Sequence, residues 1–200
     1  MKLKICGMKN PQNIIEVAAL LPDFMGFIFW EKSPRFFTGT LPELPKSIKK
    51  VGVFVDATLE EIQSEMTKHD LDLIQLHGNE SPIFCRQLQE QNIPVIKAFA
   101  IDAHFDLEWL SPYEHVTDYY LFDTKGPNPG GNGQQFDWNI LKDYKSQKPV
   151  FLSGGIDIES MEALKNLHFP LFAIDVNSRF ETNPGLKNTS LLQQFKSQLP

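Results

Sequence analysis

The chain reads as an α/β protein, a single (β/α)8 barrel domain over residues 1–200, and three observations carry that expectation. Short apolar runs of strand type alternate with segments of helical spacing about eight times along 200 residues, a pattern that closes into a ring of parallel strands through right-handed crossovers. Val51-Gly52-Val53-Phe54-Val55 is a continuous apolar run, as expected of a strand covered on both faces. No Gly-x-Gly-x-x-Gly turn opens the first helix, so the competing doubly wound sheet lacks its signature.

Residues 3–6 form the first strand, and a helix over 11–20 follows, with Asn10 as its cap and Pro11 in its first turn. The second strand spans 24–30 and ends in a polar, proline-containing loop, 31–38, before a short helical piece near 41–48. Strand 51–56 precedes a helix over 58–68, which Thr58 and Glu61 open as a capping box. The unit then repeats: strand 71–76, a helix over 81–91 opened by Ser81-Pro82, strand 94–99, and a short helix within 103–110. The sixth strand, 119–122, reaches Asp123 and dissolves into a stretch of glycine, proline and asparagine before a helix over 138–144. Strand 150–152, helix 158–167, strand 171–174 and a closing helix over 190–199 complete the series.

Composition narrows the function. A formal net charge of -6 argues against general affinity for nucleic acid or an anionic membrane, so any anion must be held by a local site. The apolar runs are too short to span a bilayer, and the first residues enter a strand without a signal-peptide core, which points to the cytoplasm. Cys6 and Cys85 are too few for a disulfide framework, and the histidines show no metal-ligand spacing, so no metal is expected. The acidic surface offers no large apolar stripe, favouring a monomer over a homodimer.

In a barrel of this kind the chemistry gathers at the carboxyl ends of the strands. Those positions read Cys6, Trp30, Asp56, His77, Phe99, Asp123, Ser153 to Gly155, and Asp175 with Asn177 and Ser178. A thiol, an imidazole and several carboxylates converge there. Alternation puts Lys4 and Cys6 on one face of the first strand, with Leu3 and Ile5 toward the helices. A neighbouring ammonium is then expected to lower the thiol's pKa toward the range of a general base. Lys4 itself needs a carboxylate, and Asp175 on the neighbouring last strand is the candidate. The small-residue turn Ser153-Gly154-Gly155 and the segment Asp175-Val176-Asn177-Ser178 offer main-chain N–H groups for a phosphate after the seventh and eighth strands.

With these residues in place the chain resembles the phosphoribosylanthranilate isomerase family. The likeness is spread over ordered blocks: Lys4-Ile5-Cys6-Gly7-Met8, Ser33-Pro34-Arg35, Val51 to Val55, Ile74-Gln75-Leu76-His77-Gly78, Asp123-Thr124-Lys125 with Gly130-Gly131-Asn132-Gly133 and Phe136-Asp137-Trp138, Ser153-Gly154-Gly155, and Asp175-Val176-Asn177-Ser178 with Glu181, Pro184, Gly185 and Lys187. The resemblance implies an Amadori rearrangement of N-(5-phosphoribosyl)anthranilate without cofactor, with Asp123 as general acid and Cys6 as general base. It also implies that Arg35 holds the anthranilate carboxylate and that Gly154, Gly155, Asn177 and Ser178 surround the phosphate. Gln75, His77 and Asp175 line the pocket or pack the barrel interior, Trp30 or Phe99 borders the aromatic ring, and Lys125 adds charge or sits in solvent. The glycine-rich loop carrying Gly130, Gly131 and Gly133 would close over the substrate.

Three positions depart from the family pattern. Arg179 stands where glycine is usual, either strained at a positive φ or adding a cation to the phosphate site. Asn132 replaces threonine in the loop, and Asn188 replaces an aspartate that caps the last helix. A related sugar-phosphate isomerase of histidine biosynthesis, or a dual-substrate enzyme, would carry aspartate at the Cys6 position. A barrel that binds a phosphosugar without catalysis would not need both Cys6 and Asp123.

Overall fold

The computed structural model describes residues 1–126, 130, 133, 135–167 and 169–199. Eight parallel strands close into a barrel in chain order. They are β1 (Lys2–Ile5), β2 (Phe24–Ile28), β3 (Lys49–Phe54), β4 (Leu73–Leu76), β5 (Val95–Ile101), β6 (Tyr119–Thr124), β7 (Val150–Leu152) and β8 (Leu171–Val176). Closure comes from β1 pairing with β8, with Lys4 opposite Asp175 and Ile5 opposite Val176.

The barrel interior follows from strand alternation. Val51, Leu73, Ile96, Ala98, Leu121, Phe151 and Ala173 form a buried cluster with Phe24, whose ring meets Phe151 edge-on at 5.2 Å. Two residues further along the same faces stand Gln75, Asp123 and Asp175, so the apolar plug gives way to polar groups toward the carboxyl ends. The alternate residues, among them Ile5, Phe27, Phe54, Ile74, Phe122 and Ile174, are fully buried against the outer layer.

That outer layer is uneven. Helix α1 (Pro11–Ala18) starts with Asn10 accepting from the Asn13 N–H, and α2 (Leu59–His69) carries the complete Thr58–Glu61 capping box. Helix α3 (Pro82–Glu90) is capped by Ser81, and the closing helix (Thr189–Gln198) by Asn188. The expected helical piece near 41–48 does not form. Pro42 and Pro45 each remove a main-chain donor there, and the segment keeps a single turn from Pro45 to Ile48. After β5 and β6 the coverings are 3₁₀ helices, Leu107–Tyr113 and Trp138–Asp143. After β7 a 3₁₀ turn, Ile158–Ser160, leads into α4 (Met161–Lys165), with α5 being the closing helix. A two-stranded hairpin not foreseen from sequence, β9 (Glu181–Asn183) with β10 (Leu186–Lys187), stands between β8 and α5.

Candidate active site

The carboxyl ends of the strands enclose two adjoining cavities. The larger, about 440 Å³, is lined by Cys6, Trp30, Arg35, Gln75, His77 and Asp175, with Gly130 and Asn177 at its rim. The smaller lies among Asp123, Gly133, Ser153 to Ile156, Asp175 to Ser178 and Arg179. Asp175 and Asn177 line both.

Cys6 follows directly on β1 and is buried. Its companion Lys4, fully buried, donates from Nζ to Asp175 Oδ2 at 2.9 Å, the partner that strand parity indicated. Burial alone would depress the Lys4 ammonium, but the carboxylate of Asp175 and the Cys6 thiol outweigh it, and its pKa is raised. Burial likewise raises the Asp175 carboxyl's pKa, and Lys4 offsets only part of the rise. For Cys6 the expected sign is reversed: burial raises the thiol's pKa more than the ammonium beside it lowers it. Burial therefore favours the neutral thiol over the thiolate.

Asp123 ends β6 from the opposite side of the ring. Its Oδ1 accepts from the Thr124 N–H at 2.9 Å, and Oδ2 lies 3.4 Å from His77 Nε2. The other ring nitrogen of His77 meets Gln75 Nε2 at 2.7 Å. A buried pair behind this wall fixes the turn that carries His77. Lys97 Nζ donates to Glu80 and to the Gly78 carbonyl, while Glu80 Oε1 accepts from the N–H groups of Asp56 and Gly78. Asp56 is thereby drawn into the scaffold, where its Oδ1 accepts from the Asn79 N–H at 2.7 Å. Two buried acceptors near the cavity, Gln75 Oε1 and Asp175 Oδ1, have no protein partner among the described residues.

The small-residue turn after β7 is built for close approach. Gly154 sits at φ +95°, and a Cβ there would fall 2.2 Å from Thr124 Oγ1. Gly154, Gly155, Asn177 and Ser178 all line the smaller cavity. Arg179 shows no backbone strain, since its φ is not in the left-handed region. Its Nη2 instead donates to the Gly133 carbonyl at 2.5 Å across the mouth of that cavity. Arg179 is the one cation among the described residues lining it.

Other expectations resolve as follows. Arg35 is not a solvated loop residue: its Nε and Nη2 grip the Glu181 carboxylate at 2.7 to 3.1 Å. Trp30 borders the larger cavity, whereas Phe99 packs outward among Phe105, Tyr113, Tyr120 and Phe122. Lys125 pairs with Asp102 at the surface. Cys85 is fully buried in the α3 layer. Gly131 and Asn132 lie outside the described residues. Glu181 and Lys187 stood among the residues that carry the resemblance, without a role of their own.

Fold and site together define a (β/α)8-barrel enzyme whose polar groups gather at the carboxyl end of the strands. Residues 3–198 match the family model for N-(5'-phosphoribosyl)anthranilate isomerase. The N-(5'-phosphoribosyl)anthranilate isomerase of Parabacteroides distasonis is 48% identical over 206 residues, covering all of this chain and 93% of its own. That of Phocaeicola vulgatus is 40% identical over 200 residues, covering 100% and 98%. Among solved structures, the phosphoribosylanthranilate isomerase of Thermotoga maritima superimposes with a TM-score of 0.87 at 31% identity over 99% of this chain and 98% of that one. Another, at 30% identity and a TM-score of 0.83 over 99% and 97%, is a complex with reduced 1-(o-carboxyphenylamino)-1-deoxyribulose 5-phosphate. The chain belongs to the N-(5'-phosphoribosyl)anthranilate isomerase family and is an isomerase of tryptophan biosynthesis.

Proposed function

We propose that this single barrel domain performs the Amadori rearrangement of N-(5'-phosphoribosyl)anthranilate with Asp123 as general acid and Cys6 as general base. Asp123 gives its proton to the ribose ring oxygen as the C1–O bond breaks, and the nitrogen lone pair forms the iminium. Cys6, once its thiol has given up its proton to solvent, takes the proton from C2 as thiolate, and the released electron pair becomes the C1–C2 double bond of an enolamine. Moving the enol proton to C1 yields the aminoketone. The observation that carries this reading is that Cys6 and Asp123 line adjoining cavities with Asp175 and Asn177 as common walls.

The polar groups around them fit the substrate's other parts. Arg35 holds the anthranilate carboxylate beside Trp30, and the unpartnered Gln75 Oε1 and Asp175 Oδ1 accept from ribose hydroxyls. His77, 3.4 Å from Asp123, orients the acid. Gly154, Gly155, Asn177 and Ser178 receive the phosphate, joined by Arg179. A substrate with a carboxylate at one end and a phosphate at the other matches two cavities that meet at Asp175. The acidic surface, without a large apolar stripe, favours a monomer as the unit of function. Two buried free thiols suit a reducing cytoplasm.

The assay follows the fluorescence of freshly made phosphoribosylanthranilate as it disappears. Cys6→Ser and Asp123→Asn should each lose about 10²- to 10⁴-fold in kcat. Native-like turnover by both variants would defeat the assignment.

A further inference from the structure

The hairpin of β9 and β10 carries buried ionic chemistry that no step above uses. Glu181 and Lys187 are almost fully inaccessible, with side-chain exposures of 4% and 0%, and pair at 2.7 Å. The Glu181 carboxylate also takes Nε and Nη2 of Arg35 and the Gly185 N–H. Lys187 Nζ spends its second bond on Asn177 Oδ1 at 2.6 Å. The Lys187 main chain is fixed from α1, where Asn13 accepts from its N–H at 2.7 Å and donates to its carbonyl at 3.0 Å.

The chain of contacts thus runs from Arg35, the grip on the aromatic carboxylate, through Glu181 and Lys187 to Asn177, a wall of both cavities. Gly7, next to Cys6, lies between its two ends. A Cβ on Gly7 would stand 2.6 Å from Asn177 Oδ1 and 2.7 Å from Arg35 Cδ, so both side chains close directly over the residue after the base. Stapling a short hairpin does not require charges this deep, because burying an ion pair is costly and a surface pair or apolar contact would serve. What a buried, multiply bonded pair supplies is fixed direction.

We propose that Glu181 and Lys187 are positioning residues that set the separation and orientation of Arg35 and Asn177, and so hold the two anionic ends of the substrate in register over Cys6. The inference rests on the roles given above to Arg35 and Asn177. Charge agrees with geometry. Arg35 and Lys187 against Glu181 leave one surplus positive charge facing Cys6 when Lys187 is ionised. Burial brings Lys187 down to about 8, with Glu181 opposing, Cys6 also raising it and Arg35 lowering it further. The Asn13 and Asn177 amides pack on it without charge.

The test compares Glu181→Gln, Lys187→Met and the double variant with the native chain, reading kcat, KM, Tm and the inhibition constants of anthranilate and inorganic phosphate. Each single change should raise KM about 10-fold or more, with kcat held within about 3-fold. The double variant should do no worse than the more affected single one, because both act on one unit. Glu181→Gln should weaken phosphate as well as anthranilate, although Glu181 bonds only to the Arg35 end directly. Lys187→Arg should restore KM in part. Should Glu181→Gln fail to fold, Glu181→Asp, which keeps the charge and withdraws it by one methylene, is read in the same way. Lowered Tm with unchanged KM, or additive effects in the double variant, would overturn the proposal and leave a plain structural staple. Arg35→Met serves as the control: unaltered anthranilate inhibition there would instead remove the underlying assignment of Arg35.

Discussion

Replacing Lys4 by methionine tests the physical basis of the site more sharply than removing the acid or the base. The side chain is fully buried, and its Nζ lies 2.9 Å from Asp175 Oδ2. At that distance and an effective dielectric of about 20 the attraction is about 6 kcal/mol, most of it offsetting the cost of burying both charges. Methionine keeps the volume and leaves a buried carboxylate alone. Asp175 then takes a proton, and from an ordinary aspartate value that costs about 4 kcal/mol at pH 7. This caps the loss, and at about 2–4 °C per kcal/mol for a chain of this size Tm should fall by about 8–16 °C.

The pH dependence fixes the interpretation. In the variant the folded Asp175 has a pKa above that of the unfolded chain, so its favourable contribution is present at low pH and lost as pH rises. The difference in unfolding free energy between native and Lys4→Met should therefore shrink as pH falls from 7 to 5, from a ceiling of about 4 kcal/mol. Urea unfolding at both pH values measures it. Lys4→Met/Asp175→Asn, which removes the stranded charge, should recover most of the loss. A penalty independent of pH, or a double variant no better than the single one, would refute the account of Lys4 and Asp175 as a buried ionised pair.

Other expectations follow from the same geometry. Because burial raises the Cys6 thiol, the thiolate forms only as pH climbs above neutrality, so kcat/KM should rise with pH there; a flat kcat/KM profile from pH 7 to 9 would exclude Cys6 as the titrating base. Arg179→Gly removes the one described cation lining the smaller cavity without relieving strain, so inhibition by inorganic phosphate should weaken several-fold while Tm stays within about 2 °C. Cys85, fully buried and pushed up to about 11, should resist a disulfide-exchange reagent in the native protein and react only on unfolding, as timed thiol titration would show.

The barrel was legible because its strands are short apolar runs bounded by turn residues, and its clearest helices carry explicit start signals, Asn10-Pro11, Thr58 with Glu61, and Ser81-Pro82. Failures came where tertiary closure substitutes for helix. Residues 41–48 have helical spacing of their leucines, but two prolines leave the segment to pack as irregular chain. The coverings expected at 103–110 and 138–144 are present as 3₁₀ helices, Leu107–Tyr113 and Trp138–Asp143, the second nearly at its expected bounds and the first displaced toward the carboxyl side. Lys4 and Asp175 could be paired from sequence because strand parity and barrel closure dictate which faces meet. Glu181 and Lys187 could not, since a hairpin with strands of three and two residues offers no pattern, and its charged residues look like surface.

That difference bears on how an acidic chain comes to hold an anionic substrate. With a net charge of -6, the long-range field repels a phosphosugar that also carries a carboxylate, so the cations must act at short range. Lys4, Arg35 and Lys187 are held by Asp175 or Glu181 at 2.7 to 2.9 Å, and of these three Arg35 lines the larger cavity while the two lysines stand behind it. A bound carboxylate does not cancel such a cation for the ligand when the donors left over have fixed directions. It settles where they point before the substrate arrives, and the ordering cost is met on folding rather than on binding. Two carboxylates against three cations therefore leave a small, directed positive surplus inside a negative protein. The placement is also what makes the site hard to read from composition, because each charge needed for binding is accompanied by an opposite one needed for aim.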